Sequence, residues 1–299
     1  MYSVFKGNNV MSDQKPLPVF VCGLSFRVRI ASFQAIIGGP AIYSALGVLN
    51  AGISPQLITV LGNNLTTDDR RVIDAIDPQA YSRYPVKPMP MIEWKSTAIL
   101  GETGKGQLSA DPEQWTKVPE IGEVADTAIL VLANGDPVVY SKLLAVAKPT
   151  LIIMDVYSEW LKYRSKEVGE CLRKADVVTM TEHEYSLLPK LALSGITFGQ
   201  DNKILVLKKG AKGVSIVVSG EVHDLPPASP SCVYSDVGCG DFLLGLIAGK
   251  FVKNRRTEPP MPLSKSVIDA YIYALQPLAH LMESSDHRNF LFNQIQQVR

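Results

Sequence analysis

Short apolar runs alternate along the chain with longer stretches in which apolar residues recur at helical spacing. The runs predict strands at residues 19–22, 56–61, 128–132, 150–154, 177–180 and 204–207. The stretches between them predict helices at residues 41–49, 138–147, 160–173 and 182–193. Most of the runs are continuously apolar, which is typical of strands covered on both faces by helices. The pattern predicts a doubly wound α/β fold, with a mostly parallel sheet between helix layers.

Two regions depart from this alternation. Residues 80–110 alternate polar and apolar positions around a glycine-rich turn, and residues 212–234 also have the pattern of antiparallel strands. We expect a small antiparallel β flap, or lid, formed by residues 24–37 and 80–110. No change of composition marks a linker, so we expect a single domain at residues 18–299 after a flexible polar tail at residues 1–17.

Charge and composition narrow the possible partners. The 299-residue chain carries 30 Lys and Arg against 29 Asp and Glu. This balance gives no electrostatic attraction to nucleic acid or to an anionic membrane, so we expect neither as a partner. Residues 30–67 lack charged side chains, but glycine and proline interrupt them, which argues against a membrane span. The four cysteines form no C-x-x-C pair, which favours reduced thiols and a cytoplasmic location.

The segment that carries most chemical information is S-D-V-G-C-G-D at residues 235–241, followed by an apolar stretch at residues 242–251. It predicts a glycine turn that leads into a buried helix. Free backbone amides and the helix dipole make such an N-terminus suitable for an anion. Asp241 would then place a carboxylate beside a bound phosphate, where it could accept a proton. Taken alone, the motif also fits an ordinary helix cap preceded by a turn.

Four motifs together resemble the ribokinase-like (PfkB) family of ATP-dependent small-molecule kinases. The family's terminal G-A/C-G-D turn corresponds to Gly238-Cys239-Gly240-Asp241, and its glycine pair at a helix start corresponds to Gly38-Gly39. Its N-x-x-E motif corresponds to residues 181–184, and its strand and glycine turn to residues 204–213. The order and approximate spacing of the motifs fit over nearly everything after the tail.

The resemblance implies a kinase that uses ATP and Mg²⁺ to phosphorylate an alcohol group of a sugar, polyol or nucleoside. Asp241 would be the general base on the substrate hydroxyl. The amides of Gly238, Cys239 and Gly240 would form the anion hole for the transferred phosphoryl group. Glu184 would position Mg²⁺ through water, because Mg²⁺ keeps much of its hydration.

The resemblance also implies where the two substrates bind. The nucleotide would lie along Lys208, Gly210 and Gly213, with its base on apolar residues such as Ala274 or Pro277. The alcohol substrate would bind near Gly38, Gly39 and Tyr43, under the closing flap. Asp155 ends a predicted strand and is therefore expected at the cleft, where ligands of α/β sheets bind. Exposed flap strands could also pair between subunits, which makes a homodimer conceivable.

The sequence departs from the family pattern on the substrate side. No acid follows the first strand at residues 23–29, and Tyr43 and Thr181 stand where the family has Asn. Ser235-Asp236-Val237 replaces the family's usual D-T-T or D-P-T, which puts a monovalent-cation site in doubt. An altered substrate would explain why the motifs that bind phosphate in the family are retained while those that bind the sugar are changed. The alternative is a kinase-shaped protein that binds a nucleotide, metabolite or protein partner without transferring phosphate. A dinucleotide-dependent oxidoreductase is disfavoured, because G-x-G-x-x-G is missing after the first strand.

Overall fold

A computed structural model describes residues 17–30, 35–80, 91–94, 106–108, 128–188, 196–199, 203–257, 259–284 and 287–298. The predicted tail lies outside these ranges except for residue 17. Most of the predicted flap segment at residues 80–110, including its glycine-rich turn, also lies outside them. Within these ranges no helix combines the length and the apolar character needed to cross a membrane.

The strands follow one another in chain order as β1 (Val19–Gly23), β2 (Phe26–Ile30), β3 (Ile36–Gly38), β4 (Pro55–Ile58), β5 (Met91–Trp94), β6 (Gly106–Leu108), β7 (Ile129–Ala133), β8 (Leu151–Asp155), β9 (Val177–Thr181), β10 (Ile204–Lys208), β11 (Val214–Val218) and β12 (Glu221–Leu225). The helices are α1 (Pro40–Asn50), α2 (Thr67–Ile76), α3 (Pro137–Val146), α4 (Ser158–Tyr163), α5 (Ser165–Lys174), α6 (Glu182–Leu187), α7 (Cys239–Arg255), α8 (Leu263–Glu283) and α9 (His287–Val298).

The main sheet has eight strands among the described residues, in the order β12-β11-β10-β9-β8-β7-β1-β4. The six strands from β10 to β4 are parallel, and β11 and β12 join the other edge as an antiparallel pair. The doubly wound, mostly parallel architecture predicted from the hydrophobic pattern is confirmed. The antiparallel strands expected within residues 212–234 are present as well.

Both faces of the sheet are covered, which explains the continuous apolar runs. In β1, Val19 and Val21 belong to a core cluster shared with α1, α2, α7, α8 and α9. Phe20 and Cys22 point to the opposite face and belong to a second cluster with α3, α4 and α5. Because successive strand residues face opposite sides, a strand between two helix layers must be apolar throughout. The predicted helix at 160–173 is in fact two helices, which are separated by the non-helical backbone of Arg164 (φ −138°).

Helices α1 and α7 cross with their backbones in direct contact. A Cβ atom on Gly245 would overlap the carbonyl oxygen of Ser44, and one on Gly47 would overlap that of Phe242. The Ser44 hydroxyl also donates a hydrogen bond to the carbonyl oxygen of Asp241 at 2.9 Å. Glycine at these positions is what allows so close an approach. The start of α7 is therefore fixed against α1.

A second, smaller sheet contains four strands of the described residues in the order β3-β2-β5-β6. The β2–β3 and β5–β6 pairs are antiparallel, whereas β2 and β5 run parallel. Asp69 of α2 attaches this sheet to the body of the protein. Its carboxylate accepts a hydrogen bond from the Ile37 amide at 2.6 Å and lies 3.3 Å from Nε of Arg27. Arg27 is therefore engaged in holding β2 against α2.

Candidate active site

Polar side chains collect at the carboxyl edge of the main sheet, where neighbouring parallel strands end together. Asn134 directly follows β7, and Asp155 is the last residue of β8. Thr181 ends β9 and Lys208 ends β10. Since ligands of open α/β sheets bind beyond this edge, the four strands bring these residues to the expected place.

Asp155 is the centre of a hydrogen-bonded cluster. The Lys208 ammonium lies 2.6 Å from Asp155 Oδ1, and the Thr179 hydroxyl donates to the same oxygen. The amide nitrogen of Asn134 donates to Oδ2 at 2.8 Å. Burial disfavours the charged form of Lys208, but Asp155 and Glu184 outweigh that effect, and the pKa of Lys208 is raised. Lys208 therefore stays protonated, and Asp155 is fully engaged by donors.

Asp241 lies in the first turn of α7 and reaches this cluster through Asn134. Its Oδ1 is 3.3 Å from the amide nitrogen of Asn134. Burial raises the pKa of Asp241 to about 7, with Asp155 acting in the same direction and Lys208 and Asn134 opposing. An acid with such a pKa can accept and release a proton near neutral pH. The N-cap of α7 is Gly238 and receives no side-chain cap. The contact with Asn134, on a different element, argues against a mere capping role for Asp241.

The turn before α7 requires glycine at position 238. Gly238 has a φ of +81°, and a Cβ atom there would lie 2.5 Å from Cγ of Tyr43. The amide of Cys239 donates to the carbonyl oxygen of Asp236 at 3.1 Å, so it is engaged within the turn. The amides of Gly238 and Gly240 make no hydrogen bond with another described residue. Of the three amides in the predicted anion hole, these two are therefore the ones without a partner in the described part of the chain.

Glu184 combines a structural contact with a place near the cluster. Its Oε2 accepts hydrogen bonds from the amide and the hydroxyl of Thr181, at 2.7 and 2.8 Å, and thereby caps α6. Burial raises the pKa of Glu184, Asp155 adds to the shift, and Lys208 opposes it. Thr181, which stands where the family pattern has Asn, is the N-cap of α6, and its amide and hydroxyl hold the glutamate.

The net negative charge of the cluster would suit a bound cation such as a hydrated magnesium ion. Asp155, Glu184 and Asp241 supply three carboxylates, against one ammonium group from Lys208. The surplus negative charge would repel an incoming phosphate unless a cation offset it. Among the described residues, no group of three His, Cys, Asp or Glu could enclose a metal ion. Mg²⁺ commonly keeps several waters and uses only one or two carboxylates, which the acids of this cluster could supply.

The residues predicted to bind nucleotide are not all brought together. Gly210 begins a short 3-10 turn two residues after Lys208, and Gly213 is the residue that follows this turn. Pro277 lies within α8 and is partly exposed. Ala274, on the same helix, is completely buried and packs in the core. Its methyl group therefore packs on the core side of α8.

An aromatic ring fills the space between the two glycine motifs that were predicted to bind the two substrates. Gly38 ends β3, and Gly39 is the N-cap of α1. The side chain of Tyr43 is 1% exposed and packs against Gly238 and beside Gly38. Ser25, in the segment where the family has an acid, donates to the carbonyl oxygen of Val60 at 2.7 Å. A small cavity elsewhere at this edge of the sheet is lined by Asn134 and Asp155, together with Tyr157 and Trp160 among others.

Sequence reasoning missed Asn134 and Thr179. Asn134 follows a predicted buried strand and precedes Gly135. This position directly after a strand could have indicated that Asn134 belongs to the site. Polar residues directly after buried parallel strands belong to the ligand-binding edge. Thr179 gave no comparable signal, because it lies inside an apolar run and is itself fully buried.

No protein-family model matches the sequence, and no curated protein matches it. Several solved structures, however, do match the fold of this chain. A nucleoside kinase from Methanocaldococcus jannaschii, described as an archaeal member of the ribokinase family, has a TM-score of 0.68 at 14% identity, covering 94% of this chain and 98% of that one. A fructokinase from Vibrio cholerae O395, solved with fructose, ADP and calcium ion, has a TM-score of 0.67 at 16% identity, covering 92% and 96%.

A third structure is a nucleoside kinase from Burkholderia thailandensis in complex with inosine. Its TM-score is 0.69 at 13% identity, and the match covers 94% of this chain and 97% of that one. All three matches extend over nearly the whole of both chains. The chain therefore has the ribokinase-like fold, which is also the fold of these nucleoside and sugar kinases.

Proposed function

We propose that the protein is an ATP- and Mg²⁺-dependent phosphotransferase that phosphorylates an alcohol group of a sugar, polyol or nucleoside. The observation that carries this proposal is Asp241. It has a raised pKa of about 7, lies at the start of a helix, and is next to two amides that have no hydrogen-bond partner among the described residues. The fold shared with sugar and nucleoside kinases supports the same reaction class.

In the proposed reaction, Asp241 accepts the proton of the acceptor hydroxyl as its oxygen attacks the γ-phosphorus of ATP. The bond between that phosphorus and the bridging oxygen breaks, which yields a phosphate ester and ADP. The amides of Gly238 and Gly240 donate to the phosphoryl oxygens, where negative charge accumulates. Lys208 lies beside Gly240, since a Cβ there would be 3.1 Å from its ammonium nitrogen. Its positive charge favours the same phosphoryl group.

Glu184 would hold the magnesium ion through water, and Lys208 with the turn at residues 210–213 would flank the nucleotide. When bound, Mg²⁺ neutralises phosphate oxygens and so reduces their repulsion from the carboxylates. The chain's own residues supply the remaining parts. Asp155 orients Lys208, Thr181 orients Glu184, and the small sheet attached to α2 covers the acceptor side and excludes water.

A second candidate is a protein that binds nucleotide without transferring phosphate. Two observations favour it: the amide of Cys239 is engaged within the turn, and Tyr43 fills space beside Gly38 and Gly238. Such a protein would bind ATP with measurable affinity yet release no ADP with any alcohol. The retained base and the two available amides favour the enzyme.

The decisive experiment measures ADP release from ATP and Mg²⁺ across a panel of sugars, inositols and nucleosides. Mass spectrometry of each active mixture must find the phosphorylated alcohol. Asp241→Asn should reduce the signal roughly 10²- to 10⁴-fold, and Asp236→Asn is the matched control, because Asp236 is exposed in the same turn. If the purified protein binds ATP by calorimetry but phosphorylates no member of the panel, the binding protein is the correct reading.

A further inference from the structure

Asn134 has an unusual backbone for a residue other than glycine. Its φ is +44°, which is in the left-handed region, and it lies between the buried strand β7 and the buried Gly135. Asparagine tolerates this region better than most residues, but the conformation still has a cost. Strained backbone of this kind is concentrated at functional sites.

The side chain of Asn134 joins two acids that come from different parts of the fold. Its amide nitrogen donates to Asp155 Oδ2 at 2.8 Å and lies 3.3 Å from Asp241 Oδ1. One end of this bridge is fixed, because Asp155 also accepts hydrogen bonds from Lys208 and Thr179. The other end is the proposed general base. Asn134 thus links the fixed carboxylate of Asp155, at the end of β8, to Asp241 in the first turn of α7.

The remaining polar atom of Asn134 is left unsatisfied. Its Oδ1 is buried and has no hydrogen-bond partner among the described residues. A buried acceptor without a donor is destabilising, and so is the left-handed backbone. The contacts of the Asn134 amide with Asp155 and Asp241 compensate for these two unfavourable features.

We infer that Asn134 is a positioning residue for phosphoryl transfer, which holds Asp241 through Oδ1 and leaves Oδ2 to accept the proton of the alcohol. This inference rests on the proposed kinase function. It assigns Asn134 no contact with either substrate. It does make the orientation of the base depend on a side chain that directly follows β7 and belongs to a different element from α7.

Several other ionisable groups face Asp241 from the elements around it. Asp155 on β8 and Glu184 on α6 raise its pKa, and Lys208 on β10 lowers it. Tyr43 on α1, Tyr140 on α3 and Cys239 on α7 also lie within electrostatic reach, but burial raises the pKa of each, so they stay neutral. Removing the amide donor of Asn134 leaves all these groups in place. Any change in Asp241 then reports on the loss of the amide's contacts with Asp241 and Asp155.

Asn134→Gly is the suitable variant, since it removes the amide and also suits a left-handed backbone. The matched control is Ser219→Gly, which replaces another residue of positive φ (50°) in the exposed turn between β11 and β12. We expect Asn134→Gly to lower kcat roughly 10- to 100-fold, as misplacement of a reacting group does. The KM for the alcohol should change less than about twofold, because Asn134 does not bind it.

The pH dependence separates positioning from a general loss of structure. The acidic limb of kcat/KM should move to higher pH in Asn134→Gly, because a hydrogen bond to the charged carboxylate is lost. Ser219→Gly should follow the wild type in kcat, KM and pH profile. Unchanged kcat and an unmoved acidic limb in Asn134→Gly would overturn the inference while leaving the kinase proposal intact.

A measurement without turnover keeps the two proposals distinguishable. Carbon-13 NMR can follow the titration of the Asp241 carboxyl, assigned with Asp241→Asn, in the wild type and in Asn134→Gly. We expect a higher pKa in Asn134→Gly. If the wild type phosphorylates no alcohol, the kinase proposal fails. An unchanged carboxyl titration in Asn134→Gly would then also remove the contact on which the inference depends.

Discussion

The ammonium nitrogen of Lys208 lies 2.6 Å from Oδ1 of Asp155, and the Asp155 side chain is only 3% exposed. Two strands, β8 and β10, bring this ion pair together across β9, which lies between them in the sheet. Glu184 and Asp241 also act on the same ammonium group. Lys208 is thus the cation that balances a group of three acids, and its removal should be costly.

Lys208→Met should lower the free energy of unfolding by roughly 2–4 kcal/mol, because an uncompensated carboxylate stays buried. Lys209→Met is the matched control. Lys209 pairs with Asp224, whose side chain is 72% exposed, and an exposed pair contributes about 0–1 kcal/mol. Urea unfolding of both variants measures the difference. Equal losses in the two variants would contradict the central place given to Lys208.

Asp241→Asn should reduce turnover roughly 10²- to 10⁴-fold, because the amide cannot accept the acceptor proton. The hydrogen bond from Asn134 can persist with the amide oxygen, so the folded structure should be retained. Steady-state kinetics with an alcohol from the panel gives the ratio, and circular dichroism checks the fold. Turnover close to that of the Asp236→Asn control would remove Asp241 from the role of base.

The raised pKa of Asp241 also predicts a pH dependence of stability. The folded state raises this pKa from its ordinary value near 3.8 to about 7. The stability that Asp241 contributes in its protonated form is therefore complete below about pH 4 and is lost as the pH rises through 7. Asp241→Asn cannot ionise, so its melting temperature relative to the wild type should be higher at pH 8 than at pH 4. A difference independent of pH would contradict the raised pKa.

Gly238→Ala should disrupt the turn before α7 for two reasons. Its φ is +81°, and the added methyl group would overlap the ring of Tyr43. Gly220→Ala is a control for the first reason alone, since Gly220 has a φ of +79° and nothing lies within 4 Å of its added Cβ. We expect about 1–2 kcal/mol of destabilisation in the control and roughly 1–3 kcal/mol more in Gly238→Ala. Equal unfolding midpoints would show that Tyr43 does not restrain the turn.

Glu184→Gln tests the magnesium site separately from the helix cap. Glutamine can still accept the hydrogen bonds of Thr181, so the cap of α6 should survive. The loss of charge should raise the Mg²⁺ concentration needed for half-maximal activity. Glu182→Gln, an exposed neighbour on the same helix, is the control. Superimposable magnesium titrations of Glu184→Gln and the wild type would count against the proposed place of the ion.

The hydrophobic pattern was sufficient for the fold, because parallel strands between helix layers must be apolar on both faces. Strands β1 and β7–β10 begin or end within two residues of their predicted bounds. Helix α1 was predicted equally well. The break at Arg164 was not predicted, because the residues on both sides of it have helical character and only the observed backbone separates them.

The contacts of the site could not be obtained in the same way. Asp241 and Glu184 belong to local motifs, but their pKa values depend on burial and on side chains from other strands. The Asn134–Asp241 contact joins residues 107 positions apart. The engaged amide of Cys239 depends on the conformation of the turn. Each of these features is decided by tertiary geometry, on which the local sequence carries little information.

The crossing of α1 and α7 has a consequence for how new specificities can arise on this scaffold. The Gly38-Gly39 segment enters α1 and the residue 238–241 segment enters α7, so the two glycine motifs are the beginnings of two helices that touch. Backbone touches backbone where they meet, at Gly245 and Ser44. In the kinase that we propose, main-chain atoms would therefore set the separation between the acceptor alcohol and the transferred phosphate. Substitutions around Tyr43 would then change which alcohol is accepted without altering that separation.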